Sequence, residues 1–247
     1  MKIKQSTLSR RRFIGLAGTT AALATIGRHL PAQAANSPST RIGIIGSGKV
    51  GGAIGRTWVK GGHQVMFSSR NLDRDKALAS ELGRGARAGT PKDAASFGEV
   101  ILIAVPYGAL PDLGKTLKAE LKGKIIIDAC NPFPARDGEI ANWAREKGAG
   151  LASAELLPGT RIVRAFNAIG AARMGSAHET PGKIGMPIAG DDKDAIAVAS
   201  RLIRDVGYEP VLIGGLAMGR YLMPGTPLAG EHSPDEIRQI AAKLKAE

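Results

Sequence analysis

The sequence predicts an α/β fold of the Rossmann type: a doubly wound, mostly parallel sheet with helices on both faces and a small C-terminal extension. Three observations predict it. The β-branched run Arg41-Ile42-Gly43-Ile44-Ile45 enters a glycine-rich turn, Gly46-Ser47-Gly48-Lys49-Val50-Gly51, and an apolar-periodic stretch follows it. Beyond that, β-rich runs alternate with helical patterns along the chain. Finally, Val100-Ile101-Leu102-Ile103-Ala104-Val105 is a continuous apolar run closed by Pro106, the pattern of a strand buried on both faces.

Each element has a local cause. The first strand, 41–45, leads into a helix over 49–60, which Gly61-Gly62 stops. A second strand covers 64–68, and a second helix runs from about Asp73 to the residue before Gly83. Residues 86–89 give a short third strand. Thr90-Pro91 then starts a helix with a capping hydroxyl and a proline at its first position. After the strand 100–105, a helix over 109–120 leads through Gly123 to a strand at 124–128, and Asn131-Pro132-Phe133-Pro134 forms a rigid loop at its carboxyl end. Helical patterns cover 139–147 and 152–157, before a strand at 161–166. A loop reaches a strand near 183–189, Asp191-Asp192 caps a helix over 193–206, and 209–213 is the last strand. Ser233-Pro234-Asp235-Glu236 opens a final helix. Right-handed crossovers put the first strand at the centre, so the loops after strands one, four, five and six converge on one edge.

The glycine spacing carries chemistry. Gly46 permits the tight turn, Gly48 lets the backbone approach a pyrophosphate, and Gly51 lets the helix pack against its strand. The pyrophosphate then meets unpaired N–H groups at the positive end of the helix, around Ser47, Lys49 and Val50. About twenty residues on, where an NAD enzyme places an acid against the ribose hydroxyls, this chain has Ser68-Ser69-Arg70. A guanidinium and hydroxyls suit a 2′-phosphate, with no carboxylate in that run to repel it, so the expected cofactor is NADP(H).

Composition narrows the function class. The 247 residues carry 34 basic and 22 acidic side chains, a formal charge of +12. Six of those bases, and no acid, fall within 1–34, so the remainder carries 28 bases against 22 acids. That excess is scattered and aromatics make up only 4%, which argues against a nucleic-acid partner. Cys130 is the sole cysteine, so neither a disulfide framework nor a cysteine metal site can form within one chain. Ser9-Arg10-Arg11-Arg12-Phe13-Ile14, a weakly apolar stretch and Ala32-Gln33-Ala34 occur in the order of a twin-arginine export signal with cleavage near Ala34. The expected layout is a signal over 1–35, an NADP-binding domain with an acceptor-pocket extension over 40–228, and a C-terminal helix over 229–247. Export would involve the twin-arginine translocon and place the protein in the periplasm or outside the cell. An inefficient signal would leave it in the cytoplasm.

From Arg41 to Leu228 the chain resembles the coenzyme F420-dependent NADP oxidoreductase family, in particular its bacterial members. The blocks that carry the resemblance are Ile44–Gly51 as quoted, Phe67-Ser68-Ser69-Arg70-Asn71, Ala104-Val105-Pro106, Asp128-Ala129-Cys130-Asn131-Pro132, Val163-Arg164-Ala165-Phe166-Asn167 and Pro187-Ile188-Ala189-Gly190-Asp191-Asp192. The resemblance implies a Rossmann domain whose small extension closes over the nicotinamide, with Ser69, Arg70 and Arg74 on the 2′-phosphate. It implies Ala104, Val105 and Pro106 along the adenine side and ribose, and Ala165, Asn167 and Asn131 near the nicotinamide. Lys49 and Tyr107 depart from the bacterial pattern, which usually has Asn and Trp there, and 216–222 follows it loosely.

Hydride transfer needs a held nicotinamide and little acid–base help when the acceptor carries its own electron sink. The expected function is therefore an NADP(H)-dependent oxidoreductase acting with a small-molecule acceptor: coenzyme F420, a flavin-like molecule or another small compound. Two alternatives stay open: a non-catalytic NADP-binding or sensing protein, and a β-hydroxyacid dehydrogenase relative. A homodimer is also compatible with the sequence. His178, beside Glu179 in a loop expected to face the cleft, is the candidate proton donor. His63 is expected in a surface turn or a helix-dipole contact and His232 at the surface; Asp128 and Cys130 sit at a strand's carboxyl end, where ligands bind, with ordering of the Asn131-Pro132 loop as the alternative role; and Asp191-Asp192 is expected to be a helix cap, not a metal pair.

Overall fold

The computed structural model describes residues 39–244, which fall in one compact unit, Asn36–Glu247. The export-signal motifs at 9–14 and 32–34 lie outside the described residues. The elements are β1 (Arg41–Ile45), α1 (Lys49–Lys60), β2 (Gln64–Ser68), α2 (Leu72–Leu82), β3 (Ala86–Ala88), α3 (Pro91–Phe97), β4 (Val100–Ile103), α4 (Leu110–Thr116), α5 (Lys118–Leu121) and β5 (Ile125–Asp128). They continue with α6 (Pro134–Asp137), α7 (Glu139–Lys147), α8 (Ala149–Leu156), β6 (Arg161–Arg164), β7 (Gly185–Gly190), α9 (Lys193–Asp205), β8 (Glu209–Gly214) and α10 (Pro234–Ala241).

The strands form one sheet in the order β3-β2-β1-β4-β5-β6-β7-β8. From β3 to β6 every pairing is parallel, and β1 is flanked by β2 and β4, so the strand order reverses beside the glycine-rich turn. β7 is antiparallel to β6, and β8 is parallel to β7. Only Ala189 and Gly190 of β7 pair with β6, so Pro187, which has no N–H, faces no missing bond on that side.

Apolar side chains fill both faces. On one, Ile44, Trp58, Phe67, Phe166, Leu202 and Tyr208 pack under α1, α2 and α9, and the Trp58 indole N–H donates to Leu202 O at 2.8 Å. On the other, Ile101, Ile103, Leu110, Ile126 and Ala152 pack under α3, α4, α5, α7 and α8. Ile237 of α10 anchors the C-terminal segment against Ala189, Val211, Met218, Leu222 and Leu228.

Several boundaries differ from expectation. β4 stops at Ile103, which turns Ala104, Val105 and Pro106 out of the ladder. The helix expected over 109–120 divides at Leu117, where φ −111° and ψ 15° leave the helical region. α8 starts at Ala149, three residues early. β6 ends at Arg164, because Phe166 has φ +64° and cannot continue a strand. His63 is not a surface residue. It is 1% exposed, its Nδ1 accepts from Thr40 N at 3.2 Å, and its Nε2 lies 3.1 Å from Asp205 Oδ2.

Candidate functional site

At the carboxyl edge of the sheet the glycine-rich turn is fixed by sterics. Gly46 has φ +103°, and a Cβ there would stand 2.4 Å from Ala104 O. A Cβ on Gly51 would stand 2.2 Å from Gly46 O, so α1 can approach the turn only because both positions are glycine. Gly46 N and Ser47 N donate to Ser68 O at 2.9 and 3.0 Å, joining the turn to the end of β2. α1 has no side-chain cap and no acid in its first turn. Its first satisfied amide is that of Gly52, which donates to Gly48 O at 2.8 Å, so the preceding N–H groups point outward from the positive end of the dipole. A Cβ on Gly48 would meet nothing within 4 Å, the open cradle a diphosphate needs.

Beside this turn lies a groove of about 460 Å³ whose polar lining is Ser47, Lys49, Arg56, Arg74 and Glu81, the last ion-paired with Arg56. Arg74 Nη2 donates to Ser47 O at 2.6 Å. Arg70, just past the end of β2, is exposed and has no hydrogen bond or ion pair among the described residues, so its guanidinium is free to take a ligand. The absence of a carboxylate expected here needs correction. Asp75, in the first turns of α2, folds under the site fully buried, accepting from Ser47 Oγ and, at 2.7 Å, from Ser69 Oγ. Sequence distance hid it, since the helix carries it back five residues from Arg70. Ser68 is also committed inward, its hydroxyl donating to Ile44 O at 2.7 Å.

The main cleft, about 630 Å³, runs along the ends of β1, β4, β5 and β6. Lys49, Val50, Ala104, Val105, Pro106, Asn131 and Asn167 all line it, as the converging loops require. Asn131 Nδ2 donates to Asn167 O at 2.8 Å, and Asn167 Nδ2 donates to Cys130 O at 3.2 Å. The amide oxygens of both side chains are buried with no partner. Two acceptors at the cleft wall fit a donor such as a carboxamide NH₂. Phe166 presents Asn167 through its left-handed backbone, a strain of about 1–3 kcal/mol held by ring contacts to Trp58 and Tyr208 at 6.4 and 6.2 Å.

Beneath this wall is a fully buried ion pair. Arg164 Nη1 donates to Asp128 Oδ2 at 2.6 Å and Nη2 to Cys130 O at 3.0 Å, while Cys130 N donates to Asp128 Oδ1 at 2.8 Å. Asp128 and Arg164 thus set the path of the 130–131 loop. Burial pushes the Cys130 thiol well above its ordinary range, and the neighbouring Asp128 carboxylate adds to that.

Other expected residues lie elsewhere. Ala165 is fully buried behind the wall, with Phe166, Asn167 and Ala168 taking the lining positions. His178 does not face the cleft: it is exposed, packed against the turn at Gly207, because two 3₁₀ turns fold the 171–179 segment toward the end of α9. The only ionisable side chains lining the main cleft, among the described residues, are Lys49 and Arg136. The sequence reading missed Phe133, whose ring carries the Arg136 guanidinium 5.0 Å from its centroid, and the covering residues Pro224, Gly225 and Gly230. The Pro132-Phe133-Pro134 run at a strand's carboxyl end was a usable signal for the first. Nothing local marks the second group.

Fold, glycine-rich turn and cleft define the class: a Rossmann-type dinucleotide-binding domain. More particularly, residues 41–132 match the family described as NADP oxidoreductase, coenzyme F420-dependent. The chain is 28% identical over 204 residues to the F420-dependent NADP reductase of Methanothermobacter thermautotrophicus, covering 76% of this chain and 87% of that one. It is 32% identical over 183 residues to rat metalloreductase STEAP3, covering 73% of this chain but only 35% of the rat protein's length. Among solved structures, a hypothetical protein from Sinorhizobium meliloti superposes with a TM-score of 0.64 at 27% identity, covering 77% of this chain and 93% of that one.

Proposed function

We propose that this protein transfers hydride between NADP(H) and a small acceptor that carries its own electron sink, a deazaflavin or flavin-like molecule in the first instance. The observation that carries the reading is the cleft itself, which joins an uncapped α1 N-terminus to two unpartnered amide oxygens across the ends of four strands. The matched family and the methanogen reductase support the same reading.

NADP(H), when bound, supplies the exchangeable hydride at the nicotinamide C4. The chain's own groups bind and orient it. Arg70 and Arg74 hold the 2′-phosphate, the outward N–H groups of Gly48, Lys49, Val50 and Gly51 hold the diphosphate, and Lys49, which lines both clefts, supplies an ammonium to neutralise it. Ala104, Val105 and Pro106 line the ribose, and Asn131 Oδ1 and Asn167 Oδ1 accept from the carboxamide. Pro224, Gly225 and Gly230 cover the far side and limit water. The two ionisable lining groups are both cations, which suits direct hydride transfer better than carbonyl reduction through a proton donor.

NADPH oxidation assayed against deazaflavin, flavin, ferric and quinone acceptors tests the reading. Turnover with the first two supports it, whereas tight NADPH binding with no turnover on any acceptor favours a nucleotide sensor. We also propose export, on the strength of Arg10, Arg11 and Arg12 followed by an apolar stretch and Ala32-Gln33-Ala34. Fractionation of the tagged protein, with and without Arg10→Lys and Arg11→Lys, tests this, and an unchanged cytoplasmic pool in both would refute it.

A further inference from the structure

The buried carboxylate under the basic rim has no part in the binding scheme above. Asp75 is fully buried at the start of α2 and accepts from two serine hydroxyls, one on the glycine-rich turn and one at the end of β2. No cation pairs with it among the described residues. Arg74, its neighbour in sequence, is turned toward Ser47 O, and Arg70 is exposed.

A serine hydroxyl has one proton to donate, and an ionised carboxylate only accepts. Ser47 and Ser69 must therefore both direct their protons to Asp75. The Ser69 oxygen is further used as the acceptor for Asn71 N at 3.1 Å, and its one alternative acceptor is Asn71 O at 3.3 Å. A 2′-phosphate also only accepts. Neither serine can then donate to it while Asp75 holds both protons, although sequence order puts Ser69 next to Arg70.

We propose that Asp75 is a specificity-determining residue that restrains the preference for NADP(H) over NAD(H). It acts in two ways. It ties the glycine-rich turn to the β2 end through Ser47 and Ser69, and it puts a negative charge against the two serines, next in sequence to Arg70 and Arg74, while keeping both hydroxyl protons from the phosphate. The proposal rests on the NADP reading of the rim. It assigns the phosphate to the guanidiniums and backbone amides, and it leaves the serines as a reserve that a substitution can release.

The test is calorimetric titration of the full chain with NADPH and NADH, for the wild type, Asp75→Asn and Asp75→Ala, with folding checked by thermal melting. In Asp75→Asn the amide NH₂ donates to one serine, whose proton turns outward. In Asp75→Ala both protons are released without burying a new polar group, so this variant covers a failure of the first to fold. Each is expected to raise the ratio of the NADH Kd to the NADPH Kd about tenfold, the lower end of what a hydrogen bond to a charged group contributes. The gain is expected on the NADPH side. A wild-type protein that does not bind NADPH refutes the cofactor reading itself. A wild type that binds it, with variants whose ratio stays level or falls, refutes the role given to Asp75 alone.

Discussion

At the scale of single residues, charge placement decides between the two nicotinamide cofactors. Arg70 is exposed and has no partner among the described residues, so a phosphate gains its guanidinium without breaking a bond there. Arg70→Ala is expected to weaken NADPH binding by about 1.5–3 kcal/mol, as for loss of a charge-assisted hydrogen bond, and to leave NADH binding nearly unchanged. Paired titrations check it, and equal losses for both nucleotides would contradict the assignment. Asp128 belongs to stability. Its removal strands Arg164 in the interior, and Asp128→Ala is expected to cost about 3–5 kcal/mol in urea unfolding. Cys130 is expected to resist alkylation in the native protein up to mildly alkaline pH, because its raised pKa keeps it a thiol and burial keeps reagents out. Rapid labelling of the folded chain by iodoacetamide would show that the loop opens.

At the scale of elements, caps and turns were the legible part. Thr90 and Ser233 cap their helices as the sequence signals, and each does so in a reciprocal capping box, with Asp93 and Glu236. The strand ends were less legible. Nothing in Val163-Arg164-Ala165-Phe166-Asn167 announces a left-handed phenylalanine, because the ring contacts that hold it come from Trp58 and Tyr208, far away in sequence. Asp75 escaped for a related reason: periodicity places it on α2 but does not say that the helix start tucks beneath Ser47 and Ser69. Asp192 gives an element-level prediction. It caps α9 through Ala195 N at 2.8 Å and binds Arg161. The Arg161 hydrogen bonds, then the cap, hold its carboxyl down to about 2. A depressed folded-state pKa means the contribution is complete above the ordinary carboxylate range and disappears as pH falls toward about 2. Asp192→Ala is expected to melt below the wild type at neutral pH, with the gap closing over about pH 4 to 2. A gap independent of pH would contradict the ionic part of the cap.

For the whole molecule, strand order does the positioning. The parallel half brings four loops to one edge, and that consequence of right-handed crossovers was readable from the order of strands and helices. The reversal at β7 and the cover supplied by Pro224, Gly225 and Gly230 were not, since both depend on contacts between segments far apart in the chain. A nucleotide that spans this edge touches segments from β1 to the C-terminal cover and stabilises them together. NADPH at about a hundred times its Kd is expected to add about 2.7 kcal/mol to the unfolding free energy, visible as a raised melting temperature.

On this reading the carboxyl edge is an NADP(H) site selected by its arginines. Its most direct measurement is calorimetric titration of the wild-type protein with NADPH and NADH under one set of salt conditions. One NADPH per chain, bound more tightly than NADH, is the expected result. Equal affinity for the two, or no heat from NADPH, would contradict it.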